Sequence, residues 1–160
     1  MPIYLLQVKV EFENIKELIP ILNNHWKINI SNGEDSLSRE GITVSKEDVY
    51  ELDGSKGTAN FTLKWDKKDP NVSTINILDF NSKQCVPSIS KNNEWQTILA
   101  MDCRGIQPTH YLPSIDFNVI TNSGKVFEDV DLTDKEWTEY DDENDEPITI
   151  MNIEGRFIKA

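Results

Sequence analysis

The chain has 160 residues, which suits one domain with a sizeable hydrophobic core or two small units that share one. Its 28 acidic and 16 basic residues give a net charge of −12, which argues against general binding to nucleic acid or anionic membranes, since both require clustered Lys and Arg. Hydrophobic residues make up 38% of the sequence and recur in alternating segments, as expected for a folded protein rather than a disordered one.

Alternation of apolar and polar residues predicts about eight strands at hairpin spacing. The predicted strands cover residues 6–12, 26–30, 61–65, 72–80, 95–103, 115–120, 126–132 and 148–159. Asn14–Glu17 and Thr133–Glu136 have the pattern of capping boxes, and each predicts one short helical turn. Asn32 and Gly33 predict a tight turn, and the polar segment Glu34–Asp48 that follows is expected to be a long loop.

The central segment, Trp95–Pro113, combines a strand with a bend. The side chains predicted to face the core are those of Thr97, Leu99, Met101 and Cys103. The alternation ends at Arg104, and Pro108 and Pro113 argue against a simple return of the chain into a ladder. We therefore expect a rigid bent segment that carries Arg104, His110 and Tyr111.

Many strands and almost no helix predict an all-β fold, mostly antiparallel and sandwich-like, with one or two short helical turns. Residues 11–15 and 102–106 each end a strand, and each is followed by a Leu and a Pro. A two-fold pseudo-repeat and chance both account for this echo. The prediction is one compact domain over residues 1–160, or such a domain divided by the repeat into two related β subdomains at roughly 1–90 and 91–160.

The negative charge is concentrated near the C-terminus. Residues 128–146 contain eleven acids and one Lys, a net charge of −10, so the rest of the chain carries only about −2. A solvated acidic loop accounts for this run, and a docking surface for a basic partner or for hard cations is the alternative. Asp129, Asp131 and Asp134 are candidate interaction residues here, although no twelve-residue calcium loop is present.

The two cysteines, Cys85 and Cys103, are too few for a disulfide framework or a four-thiolate metal site. The first ten residues lack the basic region of a signal peptide, and no apolar run approaches the ~18 residues of a membrane span. We therefore expect a cytoplasmic or also nuclear protein without a membrane partner.

A catalytic role is not expected. Cys103 and His110 would form a thiolate–imidazole pair with Arg104 nearby, but Cys103 shares its strand face with core residues and is predicted to pack as a small apolar side chain. Arg104 is predicted to form a structural ion pair or to clamp a backbone carbonyl at the bend, with contact to an anion or a terminal carboxylate as the functional alternative. His25 has no second ligand at metal spacing.

Two segments, Asp102–Pro108 and Gly124–Asp141, carry a resemblance to a known family, and the opening strand with Glu13-Asn14-Ile15 strengthens it. The chain resembles the eukaryotic CXXC-motif-containing zinc-binding proteins, a family without an established biochemical activity. The resemblance implies an all-β fold of two related units. It also implies, in typical members, a zinc ion held by two Cys-x-x-Cys pairs in the N-terminal half.

In this sequence the positions that correspond to the family's cysteines are Asn32 and Asp35 for the first pair, and Trp65 and Lys68 for the second. None is a cysteine, and a structural zinc site needs four thiolate or imidazole ligands in a tetrahedron. The resemblance therefore implies a degenerate zinc site and no bound cofactor. We expect Trp65 to fill the volume of the metal and its ligands.

These observations favour a non-enzymatic interaction or scaffold module with an unidentified protein partner, for which Arg104 and the acidic residues above are candidate contacts. The alternative is a zinc- or copper-handling protein that uses Cys85, Cys103, a histidine or the acidic cluster. An enzyme is the third hypothesis, and the sequence offers it the least support.

Overall fold

The computed structural model describes residues 2–33, 37–52, 57–79 and 85–160. Within these ranges the chain forms strands and no helix, which confirms the all-β prediction, and the strand pairs are antiparallel. No described helix is therefore long and apolar enough to span a membrane. The strands are β1 Ile3–Glu13, β2 Ile15–Pro20, β3 Trp26–Ser31, β4 Ser38–Val44, β5 Tyr50–Glu51, β6 Thr58–Ala59, β7 Phe61–Leu63, β8 Ser73–Ile77, β9 Gln96–Arg104, β10 Gln107–Tyr111, β11 Ile115–Thr121, β12 Val126–Asp131, β13 Trp137–Asp141 and β14 Glu146–Lys159.

A six-stranded sheet with the order β13-β14-β1-β9-β8-β7 forms the centre of the protein. Alternation in β1 directs Leu6, Val8 and Val10 into the core, where each is fully buried. The central strand β9 is buried on both faces from Ile98 to Cys103. The predicted one-sided alternation of β9 is therefore incomplete, since strands buried on both faces need not alternate.

Two three-stranded sheets pack around this centre, with the orders β10-β3-β4 and β12-β11-β2. Each contains strands from distant parts of the chain, because β10 pairs with β3 and β2 pairs with β11. The Trp26 ring of β3 lies 6.0 Å from the Phe117 ring of β11, centroid to centroid, and so joins the two sheets through the core. A short pair, β5 with β6, completes the described strands.

Neither predicted helical turn forms. Asn14 adopts a left-handed conformation with φ of 63°, and the chain continues directly into β2, which pairs with β11. At the second site the Asp131 carboxylate accepts hydrogen bonds from both Thr133 N and Thr133 Oγ1, at 3.0 and 2.6 Å, which closes a turn rather than a helix. A single helical turn is costly to nucleate, so ladder pairing and turn formation prevail.

The segment predicted as a long loop, Glu34–Asp48, contains strand β4. Its sequence is polar because β4 is an edge strand whose residues from Ser38 to Glu40 are exposed. The strand β4 was missed because exposed edge strands lack the apolar alternation that sequence patterns detect. In the acidic run, residues 142–145 form the turn of the β13–β14 hairpin, as expected for an acidic loop, while Tyr140 and Asp141 pair with Pro147 and Glu146.

The bent segment after β9 is also a strand. The bend is confined to Gly105, with φ of 74°, and Pro108 then lies within β10, opposite Ile30 of β3. Proline is tolerated there because β10 is at the edge of its sheet and needs no second ladder partner. The prediction that the prolines prevent ladder formation was therefore wrong. The predicted strand 72–80 is shorter, since β8 ends at Ile77, and Phe80 lies outside the described residues.

The sheet orders have a two-fold correspondence. Exchanging β1 with β9, β8 with β14 and β7 with β13 reproduces the order of the six-stranded sheet. Exchanging β2 with β10, β3 with β11 and β4 with β12 converts one three-stranded sheet into the other. Both β1 and β9 run into a left-handed residue, Asn14 or Gly105, before the next strand begins.

The same hydrogen bond recurs in both three-stranded sheets. Gly41 N of β4 donates to Asn29 Oδ1 of β3 at 2.9 Å, and Asp129 N of β12 donates to Asn118 Oδ1 of β11 at 2.9 Å. Each donor has a positive φ and lies at a shift in strand register. Asn29 therefore corresponds to Asn118 and Gly41 to Asp129, while the division into subdomains at roughly 1–90 and 91–160 stays a prediction.

The carboxylate of Asp116, fully buried, connects the β2–β3 and β10–β11 segments. It accepts hydrogen bonds from the Tyr111 hydroxyl at 2.5 Å, from Asn24 Nδ2 at 2.8 Å and from Ser114 N at 3.0 Å. Burial raises the pKa of Asp116, although all three donors favour the ionised form. The same burial, with the neighbouring Asp116 charge, raises the pKa of Tyr111 well above its ordinary value.

We predict that Gly105→Ala destabilises the protein more than Gly124→Ala. A Cβ at Gly105 would lie 2.4 Å from Ser73 Oγ and 3.1 Å from Ser73 Cβ, in addition to the strain of a φ of +74°. The control, Gly124, has a φ of +92° and nothing within 4 Å of its Cβ position. Urea unfolding is expected to show a loss of about 2–4 kcal/mol for Gly105→Ala and about 1–2 kcal/mol for the control. Equal losses would contradict a steric role for Ser73.

Candidate functional site

Trp65 lies just after β7, where it joins the core to two neighbouring segments. Its half-buried ring packs against the core, and its Nε1 donates a hydrogen bond to Gly105 O at 2.8 Å. The Arg39 guanidinium carbon of β4 lies 5.4 Å from the centroid of the Trp65 ring, within cation–π range. Trp65 thus fastens the end of β7 both to the bend after β9 and to the β3–β4 hairpin.

The family resemblance also relates Asn32, Asp35 and Lys68 to cysteines of the zinc site. Asn32 lies on the same β3–β4 hairpin. Its N donates to Leu37 O at 3.1 Å, and the following Gly33 has the positive φ, 83°, that the predicted tight turn requires. Lys68 is exposed in the turn after β7, and its N donates to the Asp66 carboxylate at 3.0 Å. Asp35 lies outside the described residues.

The described side chains do not fit a structural zinc ion. The Trp65 indole offers no lone pair in its plane and already donates its N–H, and the Lys68 ammonium would repel a cation. Across the described ranges, no group of three or more His, Cys, Asp or Glu side chains is placed to hold a metal ion. The chemistry available at Trp65 is packing and cation–π contact.

The two-fold correspondence locates the equivalent place in the C-terminal half. Because Asn29 corresponds to Asn118, Asn32 corresponds to Thr121, three residues further on. The equivalent edge strands β7 and β13 begin at Phe61 and Trp137, so Trp65 corresponds to Asp141, four residues beyond each start. This register pairs the β3–β4 turn with the β11–β12 turn, and the β7–β8 turn with the β13–β14 turn.

In the C-terminal half the two equivalent turns are in contact. The fully buried Asp141 carboxylate accepts hydrogen bonds from Ser123 Oγ at 2.7 Å and from Glu143 N at 3.1 Å. Thr121 Oγ1 lies 2.9 Å from Ser123 Oγ and also hydrogen-bonds to Asp141. A polar network therefore joins the β11–β12 turn to the β13–β14 turn.

The candidate interaction residues are dispersed on the surface. Asp129 occupies the bulge of β12, and Asp131 closes the turn to Thr133, whose hydroxyl and N–H lower the pKa of that carboxyl. Asp134 is exposed in the same turn. Arg104, whose side chain is largely exposed, pairs with Asp102 at 3.5 Å, consistent with the predicted structural ion pair. The structure thus places Arg104 at the bend and the three aspartates on or just after β12.

Cys103 and His110, the residues considered as a thiolate–imidazole pair, differ in their exposure to solvent. Cys103 is fully buried, and burial together with the charge of Asp102 raises its pKa to about 12. His110 is exposed on β10, where its Nδ1 contacts Thr109 Oγ1 at 3.1 Å. Burial also raises the pKa of the half-buried Cys85. His25 contacts Glu47 Oε1 at 2.6 Å as an exposed surface pair.

One feature that sequence patterns did not indicate is a cavity of about 540 Å³ beside the β2–β3 connection. It extends from Pro20 and Leu22 to the ends of β8 and the start of β9. Its lining comes from five separated segments of the chain, so periodicity could not reveal it. Leu22, an apolar residue of the lining, has 87% of its surface accessible in the folded chain, and no sequence pattern indicated this exposure.

The sequence and the fold both match known proteins along nearly their whole length. The CXXC motif containing zinc binding proteins of Homo sapiens and Rattus norvegicus are 30% identical over 159 residues and 29% identical over 158 residues, respectively, and each alignment covers 97% of both chains. A hypothetical protein from Plasmodium falciparum has a similar structure, with a TM-score of 0.88, 35% identity and coverage of 99% of this chain and 100% of its own. The crystal structure of C1orf123 follows, with a TM-score of 0.85, 28% identity and 99% coverage of each chain.

The family pattern described as CXXC motif containing zinc binding protein, eukaryotic, matches residues 5–158. With that match, this chain belongs to the eukaryotic family of CXXC motif containing zinc binding proteins.

Proposed function

We propose that the chain is a non-enzymatic interaction module in which the zinc site of its family is degenerate. In this proposal Asn32, Asp35, Trp65 and Lys68 occupy the positions of the four cysteines. The observation that carries it is the environment of Trp65, whose ring packs on the core and under Arg39. Side-chain burial and cation–π contact then stabilise the junction that a metal would otherwise hold.

The register between the two halves supports these positions. It relates Asn32 to Thr121 and Trp65 to Asp141, and the turns that carry Thr121 and Asp141 meet through hydrogen bonds. Each half then has one junction between two turns, polar in the C-terminal half and aromatic in the N-terminal half. Metal handling through Cys85, Cys103, a histidine or the acidic cluster remains the second candidate and receives no support from the described side chains.

The proposed partner is a basic protein that contacts the acidic segment. Nine of the eleven acids in residues 128–146 are exposed on β12, β13 and the turns beside them. Lys125 pairs with Asp142 at 2.8 Å, which neutralises only one of these charges. A surface of one sign attracts an oppositely charged partner and speeds encounter. A cytoplasmic, and also nuclear, location is part of this proposal.

A four-cysteine variant tests the proposed positions. We expect Asn32→Cys/Asp35→Cys/Trp65→Cys/Lys68→Cys to bind about one zinc ion per chain by elemental analysis, since four thiolates in a tetrahedron suffice for a structural site. Thermal unfolding of the variant should then respond to EDTA, whereas the unmodified chain should purify without stoichiometric zinc and melt at the same temperature with and without chelator.

The matched control moves the second pair by one residue, to Asp66→Cys and Asp69→Cys, with the first pair kept. This control should not bind stoichiometric zinc, because its thiolates would not converge. Stoichiometric zinc in the unmodified chain would contradict the proposal, as would failure of a folded four-cysteine variant to bind zinc.

Cys103 is predicted to be unreactive in the folded protein. Its pKa of about 12 leaves the thiol protonated at pH 8, and burial excludes the reagent. Iodoacetamide at pH 8, followed by peptide mass spectrometry, should label Cys85 slowly and Cys103 only after denaturation. Rapid labelling of Cys103 in the native protein would instead favour a nucleophilic role.

Binding to a basic probe tests the acidic surface. We expect a fluorescent oligolysine peptide to bind the chain and to weaken as salt rises, because screening shortens the range of exposed charges. Replacing three candidate aspartates with asparagine should weaken binding by about threefold to tenfold. The replacements are Asp129→Asn, Asp131→Asn and Asp134→Asn.

The control removes three exposed acids from other parts of the surface, and its net charge is the same. Its replacements are Glu40→Gln, Glu51→Gln and Glu94→Gln. An equal loss of affinity in both variants would mean that only total charge matters, and the acidic segment would not be a docking surface.

A further inference from the structure

The cavity beside the β2–β3 connection has the size and lining of a ligand site. Its volume of about 540 Å³ falls within the ~300–1,000 Å³ of small-molecule pockets. Most of its lining is apolar and comes from the β2–β3 segment, the end of β8 and the start of β9. The apolar lining residues are Pro20, Ile21, Leu22, Trp26, Ile77, Leu78, Val86, Pro87, Ile98 and Leu99.

Three of the four polar lining residues, Asn24, Lys46 and Asp79, are engaged through their side chains with other protein groups, as is the backbone carbonyl of Asn23. Lys46 forms an ion pair with Asp79. Asn24 Nδ2 donates to the buried Asp116 carboxylate at 2.8 Å, and Asn23 O accepts the Ser45 hydroxyl at 3.0 Å. A ligand therefore need not supply partners for these groups, and the remaining lining favours an apolar and uncharged molecule.

The corresponding place in the C-terminal half shows why this cavity is open. Pro20 and Tyr111 are equivalent, since each ends its strand six residues after the left-handed Asn14 or Gly105. The Tyr111 ring packs directly on Gly155, where a Cβ would lie 2.4 Å from Tyr111 Cδ2. The cavity there is smaller, about 400 Å³, and Tyr111 forms part of its lining.

At the equivalent position in the N-terminal half the chain has the compact ring of Pro20, and Leu22 stands at the rim with 87% of its surface accessible. We propose that the cavity between the β2–β3 connection and the ends of β8 and β9 binds a small uncharged apolar molecule. The ligand displaces water that interacts weakly with the apolar side chains of the lining. In the other half, the Tyr111 ring excludes water at the equivalent position. This site is separate from the zinc positions and independent of the acidic surface.

The test uses N-phenyl-1-naphthylamine, an uncharged apolar probe whose fluorescence rises on transfer from water. We expect saturable binding at one site per chain, with quenching of tryptophan emission because Trp26 lines the cavity. Pro20→Phe places an aromatic ring where the other half has Tyr111, and it should weaken the apparent affinity by about tenfold or more. Val86→Trp, at a lining position between β8 and β9, should have the same effect and serves if Pro20→Phe does not fold.

The control Thr138→Phe adds the same ring at an exposed position of β13 and should leave binding unchanged. Absence of saturable binding to the folded, unmodified chain would overturn the proposal, because the cavity would then be closed or filled in solution. Binding that survives both filling variants would also overturn it, since the probe would lie elsewhere. Concentration-dependent dimerisation abolished by Leu22→Asp, without probe binding, would assign the face to a second copy of the chain instead.

Discussion

The buried carboxylate of Asp116 is the interaction on which the architecture depends. Its three donors come from the β2–β3 connection, from the end of β10 and from the segment that follows β10, so one side chain joins parts of the chain that are about ninety residues apart. A buried carboxylate without such donors would be costly, and each donor left unpaired would cost about 1–3 kcal/mol. The aromatic rings of Trp26, Tyr111 and Phe117 exclude water around this network, so polar and apolar contacts stabilise the same junction.

Much of the fold follows from sequence alternation, because β1 and β3 bury one face and leave the other partly accessible. Alternation fails where its physical basis is missing. The edge strand β4 has too few apolar residues to be recognised, and β9 is buried on both faces. The capping-box pattern of Asn14 was misleading because ladder pairing with β11 outweighs a single helical turn. Local patterns therefore identify strands whose side chains contribute to the core. They miss strands that are stabilised mainly by backbone pairing with an adjacent strand.

The candidate site was accessible to sequence reasoning in a different way. Family resemblance indicated which positions to compare, and the chemistry of Trp65 and Lys68 showed that they are unsuited to zinc. The partners of Trp65, namely Arg39 and the carbonyl of Gly105, could not be predicted because they are brought to it by strand pairing across the chain. The open cavity was also inaccessible, since it depends on the difference between Pro20 and Tyr111 at positions whose equivalence only the fold reveals.

During synthesis, β2 leaves the ribosome long before its partner β11 has been translated, and β3 must wait in the same way for β10. Neither three-stranded sheet can close on the nascent N-terminal part, which exposes apolar strand edges of the kind that chaperones recognise. Because these pairings join residues far apart in the chain, closure must also overcome a large loop entropy, which slows folding. Because each half contributes a strand to a sheet of the other half, the two halves cannot complete their folding one after the other. Folding is instead completed only after β11 has been translated.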